Sequence, residues 1–463
     1  MAEPQRSRHP AQDEGDVWRV WADTGGTFTD CVAIDPGGRK HRAKVLSTSA
    51  LRSRVEEVLG SSSVRLSTGW DLPPDFLVGS RLVLLDHPES GREVVGSCGH
   101  DRTVTVAGAL PAETATGLRC ELRCCEQAPT LAAHLVTRTP LQDPLPPLRM
   151  RLATTRGTNA LLQRRGVPTA LFVSRGLGDL LVIGDQRRPD LFALDVRTRP
   201  PLYDTVVEVP ERLAADGSVL STLDLAALEG QVDDLLGRGV TCAALALMHS
   251  YRNPAHEQQL REHLLARGFE HVSCSAELAP LIGVLARAET AVVDACLSPI
   301  IGSYLASVGD GLAPGHLHVM TSAGGLVEAS EFHAKDALLS GPAGGVVGAS
   351  ISGRHSGHRR LITLDMGGTS TDVARWHGDY EYVFEHRVGD ARLVAPALAI
   401  ESVAAGGGSI CRCVGRRLRV GPDSAGADPG PACYGAGGPL TLTDVNLLLG
   451  RIAVDNFEIP VDA

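Results

Sequence analysis

Lysine is nearly absent: of 44 basic residues only Lys40, Lys44 and Lys335 are lysines, so lysine-based nucleophilic chemistry is close to excluded by count. Net basic charge is lacking. With 54 acidic residues the formal net charge is -10, which leaves no field to condense on nucleic acid or anionic lipid. The eleven cysteines are scattered without a C-x-x-C pair, arguing against a disulfide framework or a zinc knuckle and for reduced, mostly buried thiols. Their densest group, Cys120, Cys124 and Cys125, has in His134 a neighbour without a partner at helical spacing. The sixteen histidines show no H-x-x-x-H or H-E-x-x-H spacing, which argues against a zinc amidohydrolase. No uninterrupted apolar run approaches the roughly 18 residues of a membrane-crossing helix. The polar residues 1–16 lack the basic and apolar regions of a secretory signal. These absences predict a cytoplasmic protein without nucleic-acid or membrane partners, and a disordered tail over 1–16.

What is present is a globular chain. Its 463 residues, 43% hydrophobic and 21% charged, allow two to four domains at about 100 to 200 residues each. The pattern predicts strand, tight glycine turn and strand over 17–34. Residues 61–150 read as a β-rich insert with short runs at 81–86 and 103–107, ending in a proline-rich linker over 140–147. From residue 151 strands and helices alternate: strands over 169–174, 240–248, 316–321 and 361–364, and helices over 222–238, 254–267 and 287–308. This is α/β architecture.

The most informative internal match sets Asp23-Thr-Gly-Gly-Thr-Phe-Thr-Asp30 against Asp365-Met-Gly-Gly-Thr-Ser-Thr-Asp372. Six of eight positions agree at a separation of about 340 residues. The spacing points to two related halves, each opening with a hairpin whose tip is Gly-Gly-Thr. Paired glycines let backbone N–H groups approach a phosphate, and threonine hydroxyls add donors. An aspartate at the strand end offers oxygen to a hard cation such as Mg2+. Thr24, Gly25, Gly26, Thr27, Gly367, Gly368 and Thr369 are thus candidate phosphate contacts, and Asp23 and Asp365 candidate Mg2+-side carboxylates. Two such turns facing one cleft would hold one nucleotide. Asp30 and Asp372 read first as braces of their hairpins. Walker A and G-x-G-x-x-G loops are absent. Further glycine clusters could meet a nucleotide: Ser340 to Gly348, read as a loop opening a helix, with Gly344 and Gly345; Ala404 to Ser409 with Gly406 and Gly407; and Thr321 to Gly325. Each reads equally as a helix cap or close packing.

These residues carry a resemblance. The sequence is similar, from Val20 to its end, to the hydantoinase A and 5-oxoprolinase family. The carriers are Asp23 to Asp30, Ala153-Thr-Thr-Arg-Gly-Thr-Asn-Ala-Leu-Leu162, Ile183-Gly-Asp-Gln-Arg-Arg-Pro-Asp-Leu-Phe192, Leu339 to Gly348, Asp365 to Val373 and Val420 to Gly435. The Arg-Pro-Asp-Leu-Phe segment and Tyr382 to Glu385 look closest to the N-terminal part of 5-oxoprolinases. The resemblance implies a duplicated ATPase fold like that of actin, Hsp70 and sugar kinases. It divides the chain into the first part of an N-terminal domain over 17–60, the insert and linker over 61–150, the remainder of that domain over 151–250, and an ATPase domain over 251–463.

It further implies ATP and Mg2+ as cofactors and ATP-dependent opening of a cyclic amide, 5-oxo-L-proline to L-glutamate. Hydantoin hydrolysis, ketone carboxylation and a nonenzymatic nucleotide-binding fragment are the alternatives. Asp23 and Asp365 take the catalytic role. Thr154, Thr155, Arg156, Thr158 and Asn159 form a polar cluster before a helix, read equally as a carboxylate or phosphate pocket and as an N-cap with a solvated arginine. Arg188 and Asp190 are read at least equally as surface charges, and Asp423, Asp428 and Tyr434 as parts of a rigid turn. Family members continue beyond this length, so the chain is expected to be a fragment, a truncated frame or one subunit of a split, oligomeric enzyme completed by a hydantoinase B-type partner.

Overall fold

The computed structural model describes residues 17–67, 72–186, 192, 194, 200–389, 391–426, 428–454 and 461. The tail over 1–16, Arg188 and Asp190 lie outside them. Contacts divide the chain into two units, Met1–Leu152 with Ser307–His318 and Gly408–Ala463, and Ala153–Ala306 with Val319–Gly407.

The first unit opens with the hairpin Trp18–Thr24 and Phe28–Ile34, extended antiparallel by Lys40–Leu46. Alternation does the folding here. Val20, Ala22 and Thr24 point inward with Cys31 and Ala33, while Trp21 and Asp23 face outward, the period of two that buries one face of a sheet. Helix Ala128–Thr137 covers these strands, with Leu131 and Ala132 fully buried. Proline in its first turn costs no hydrogen bond, and Arg138 ends it in the left-handed region.

Between the third strand and this helix lies a closed six-stranded barrel. Its order is Ala50–Val58, Ser63–Leu66, Thr103–Val106, His87–Cys98, Arg81–Leu84 and Arg119–Arg123, with the last strand pairing back to the first. Val55, Val64, Leu66, Leu82, Val94, Val104, Cys120 and Leu122 are buried. Closure leaves no unpaired edge.

The second unit is built on a four-stranded parallel sheet in the order Thr205–Val209, Thr169–Ser174, Cys242–Ala246 and His271–Cys274. Its central strands are buried along their whole length, as expected where both faces are covered. Ala170, Phe172, Ala243 and Leu245 face helices Glu229–Gly237 and Ala255–Arg267. Leu171, Val173, Ala244 and Ala246 face Ala288, Ala291, Val292 and Ala295 of helix Val284–Gly311. Although no uninterrupted apolar run is that long, an 18-residue window of this helix has a mean hydropathy of 1.5, so by length and composition alone the helix is long and apolar enough to cross a membrane; 61% of the window is buried inside the protein. Polar residues interrupt the apolar sequence of this helix. Two of these, Arg287 and Asp294, are buried and bonded. Arg287 donates to the Leu247 carbonyl at 2.9 Å, and Asp294 accepts from the Ser273 hydroxyl at 2.7 Å and the Lys335 amide at 3.0 Å.

The same unit carries the second hairpin, Leu361–Met366 and Thr371–Trp376, extended antiparallel by Ile400–Val403. Helix Ser340–His355 packs on it through Ala343 and Val346 against Ala374. The elements expected from sequence at 169–174, 254–267 and 361–364 occur. The helix expected over 222–238 is shorter, a 3-10 turn Ala226–Leu228 leading into Glu229–Gly237.

Candidate functional site

The two hairpins correspond bond for bond. Asp23 pairs with Asp30 across the first and Asp365 with Asp372 across the second. Each tip is closed by its first glycine, whose N–H donates 2.9 Å to the carbonyl three residues on: Gly25 to Phe28 and Gly367 to Ser370. The carbonyl of that glycine is tied down from beyond the third strand, by the Ser47 hydroxyl on Gly25 at 2.9 Å and the Gly407 amide on Gly367 at 2.9 Å. The threonine after the tip is held by the same segment, Thr29 bonding to the Ser47 hydroxyl at 3.1 Å and Thr371 donating to the Ala405 carbonyl at 2.5 Å. Among the described residues nothing accepts from the amides of Gly26, Thr27, Gly368 and Thr369. Each braced tip therefore presents a row of donors, the geometry that receives phosphate oxygens.

Charge distinguishes them. Asp30 is exposed and accepts twice from Lys44 Nζ, at 2.8 Å each. Asp372 takes the Ser402 hydroxyl instead. Burial pushes its carboxyl above the usual range and the nearby Asp365 pushes it further, against the Ser402 bond. Both aspartates brace their hairpins and each hairpin sets two aspartates opposite one another, but in the second the Asp365 and Asp372 carboxylates repel, where in the first Lys44 pairs with Asp30. That donor set fits a divalent cation, since two carboxylates completed by water and phosphate oxygens suit Mg2+. No group of three or more His, Cys, Asp or Glu among the described residues is placed to hold a metal ion by itself.

Glycines close in on the second tip. A Cβ at Gly406 would lie 2.6 Å from the Gly368 carbonyl carbon, so only glycine permits this approach; one at Gly345 would lie 3.9 Å from Oδ2 of Asp365. The segment with Gly344 and Gly345 is not a loop opening a helix. The helix begins at Ser340 and both glycines lie within it. Packing on the hairpin overrides their low helix propensity.

The Thr154 to Asn159 cluster is largely engaged with its own unit. Ser340 donates its hydroxyl to the Thr154 carbonyl at 2.8 Å, Thr158 donates to the Leu338 carbonyl at 2.5 Å, and the Thr155 carbonyl accepts from the Asn159 amide at 2.9 Å. Arg156 is not simply solvated: its guanidinium lies 4.7 Å over the Tyr304 ring. Thr321 to Gly325 forms a turn in which the Thr321 amide donates to the Gly325 carbonyl at 2.8 Å and Gly324 takes a positive φ of 79°. Asp423 pairs with Arg412 at 2.7 Å, Asp428 is exposed, and Tyr434 is buried against Phe28. All eleven cysteines are free. Sequence reasoning missed Ser47, Lys44, Ser402 and Tyr304. Only Lys44 carried a signal, as one of three lysines two residues before the end of a strand.

With the geometry in hand, comparison with known proteins is direct. The hydantoinase/oxoprolinase N-terminal region matches residues 19–70 and 133–268, and the hydantoinase/oxoprolinase domain matches 287–462. The 5-oxoprolinase 1 of Arabidopsis thaliana is 44% identical over 66% of this chain and 26% of its own length, so the chain spans about a quarter of that relative. The nucleotide-free structure of acetone carboxylase shares the fold with a TM-score of 0.68 at 21% identity, covering 96% of this chain and 57% of that one. The ATP-dependent caprolactamase of Pseudomonas jessenii does so with a TM-score of 0.60 at 28% identity, covering 94% and 55%. The two glycine hairpins, their braces and the α/β core around them thus belong to a chain of the hydantoinase/oxoprolinase family.

Proposed function

We propose that this chain is the ATP-binding part of a cyclic-amide hydrolase acting on 5-oxo-L-proline to give L-glutamate, with the duplicated hairpin fold of actin-like and sugar-kinase ATPases. The observation that carries the reading is the equivalence of the two tips, because braces on the same glycine carbonyl, one from a side chain and one from backbone, preserve two rows of unengaged amides. The amides of Gly26, Thr27, Gly368 and Thr369 would orient phosphate oxygens, and Gly406 and Gly407 would keep the second tip rigid. Asp23 and Asp365 occupy equivalent places before their tips and are the carboxylates proposed to meet hydrated Mg2+, with Asp372 supporting Asp365.

A lactam is a resonance-stabilised amide with a poor leaving group; Mg-ATP would supply a γ-phosphoryl for its carbonyl oxygen, making the ring carbon electrophilic to water. For that chemistry the protein must position and neutralise rather than bond covalently, which suits a site without catalytic lysine or cysteine. The same activation would serve another lactam, a hydantoin or a ketone, and similarity to caprolactamase and acetone carboxylase keeps these as the second reading. We place the chain in the cytoplasm, in an oligomer completed by a hydantoinase B-type domain or subunit. The test is ATP turnover with Mg2+, with and without 5-oxoproline, before and after that partner is added. Glutamate formed with ADP only in the complete mixture supports the proposal. Turnover indifferent to 5-oxoproline but raised by caprolactam or hydantoin removes the substrate assignment.

A further inference from the structure

The barrel carries a feature that the hairpins do not use. On the seam where Ala50–Val58 meets Arg119–Arg123, Arg52 stands opposite Glu121 and Ala50 opposite Arg123. The period of two puts Arg52, Arg119, Glu121 and Arg123 on one face, with Ser53, Cys120 and Leu122 on the other, inside the barrel. A barrel's outer face normally meets solvent, yet Arg52 is 7% and Glu121 5% exposed. Both line a cleft of about 690 Å3 whose far wall is Asp428 and Gly435 to Gly437.

Glu121 serves two guanidinium groups: Arg52 Nη2 at 2.6 Å and Nε at 3.1 Å on one oxygen, Arg123 Nε at 3.1 Å on the other. Arg119 is the third, packed so closely on Gly435 that a Cβ there would lie 1.4 Å from its Nη1. Asp86 and Asp428 lie exposed at the rim. Nη1 of Arg52 is buried and has no hydrogen-bond partner among the described residues, a costly condition for a charged donor. We propose that this cleft binds a small molecule through a carboxylate or phosphate group seated on Arg52, Arg119 and Arg123. An oxyanion satisfies the orphan donor, and the planar fork of arginine suits both groups. Arg119, Glu121 and Arg123 lie outside the stretches matched by the family, 19–70, 133–268 and 287–462, whereas Arg52 and the far wall lie inside them.

The test is calorimetric titration of the intact chain with inorganic phosphate and, separately, with succinate. Saturable binding of phosphate alone assigns a phosphate ligand, of succinate alone a carboxylate ligand, and of both an unselective oxyanion seat. Each supports the site if it responds to two variants. Arg123→Gln, on an exposed side chain, should weaken binding about tenfold, the usual worth of one charged hydrogen bond, with the melting temperature unchanged. Arg52→Met with Glu121→Leu exchanges the buried pair for apolar volume, which such sites tolerate, and should abolish binding. If the double variant fails to fold, Arg123→Gln decides alone. Absence of saturable binding to the wild type, or binding that survives Arg123→Gln unchanged and therefore sits elsewhere, such as at the hairpin tips, overturns the proposal.

Discussion

The two hairpins share a backbone and differ in their charges. Register and tip bond are the same, and the glycine carbonyl and the threonine hydroxyl are each held in both. In the first, Lys44 compensates Asp30; in the second, Asp372 lies half-buried beside Asp365 and, among the described residues, takes only the Ser402 hydroxyl. The first tip is braced by a side chain, Ser47, and the second by backbone, with Gly406 against Gly368. Their strands differ too: Trp18–Thr24 buries alternate residues, whereas Ile362 and Leu364 are 77% and 73% exposed. One hairpin geometry thus carries two different charge arrangements.

The comparison can be broken most severely at Asp365. Asp365→Ala should lower ATP turnover by the complete enzyme about a thousandfold, the scale of losing a charge-stabilising group at a reacting phosphate. Equal or greater loss from Asp372→Asn with Asp365→Ala silent would reassign the cation. Gly406→Ala forces a Cβ into the Gly368 backbone and should cost about 3 kcal/mol by denaturant unfolding. Ser47→Ala, which removes only a hydroxyl from the equivalent brace, should cost about 1 kcal/mol. Similar losses at the two sites would show that the braces are interchangeable.

The carboxylates give a finer test. A carboxyl whose folded-state value is raised adds stability as pH falls through that value and costs stability above it. Without divalent cation at neutral pH, Asp372→Asn should therefore raise the melting temperature. The gain should vanish below about pH 3.8, where the carboxyl is protonated in both states, and Mg2+ should stabilise the wild type more than the variant. Asp30→Asn removes an exposed pair and should change stability by under about 0.5 kcal/mol. A larger effect of Asp30→Asn than of Asp372→Asn would reverse the contrast.

How far sequence revealed this molecule follows from the range of its interactions. The hairpins were legible because Asp-x-Gly-Gly-Thr is a local pattern that recurs, and the parallel sheet because Thr169–Ser174 and Cys242–Ala246 are short apolar runs between helices. The closed barrel was legible only as a β-rich stretch. Its closure depends on Ala50–Val58 meeting Arg119–Arg123, a pairing that no window of neighbouring residues contains. Ser340–His355 was misplaced at its start because glycines that oppose a helix locally are held there by tertiary packing. The braces were invisible for the same reason: Ser47 and Gly407 matter through the glycines they reach, 22 and 40 residues away.

The most direct test of the account is calorimetric binding of ATP to the intact chain, with and without Mg2+, comparing wild type, Asp365→Ala and Asp30→Asn. The account predicts saturable binding that is strengthened by Mg2+, loses that strengthening in Asp365→Ala and keeps it in Asp30→Asn. Binding indifferent to Mg2+, or a Mg2+ response that survives Asp365→Ala, would contradict it.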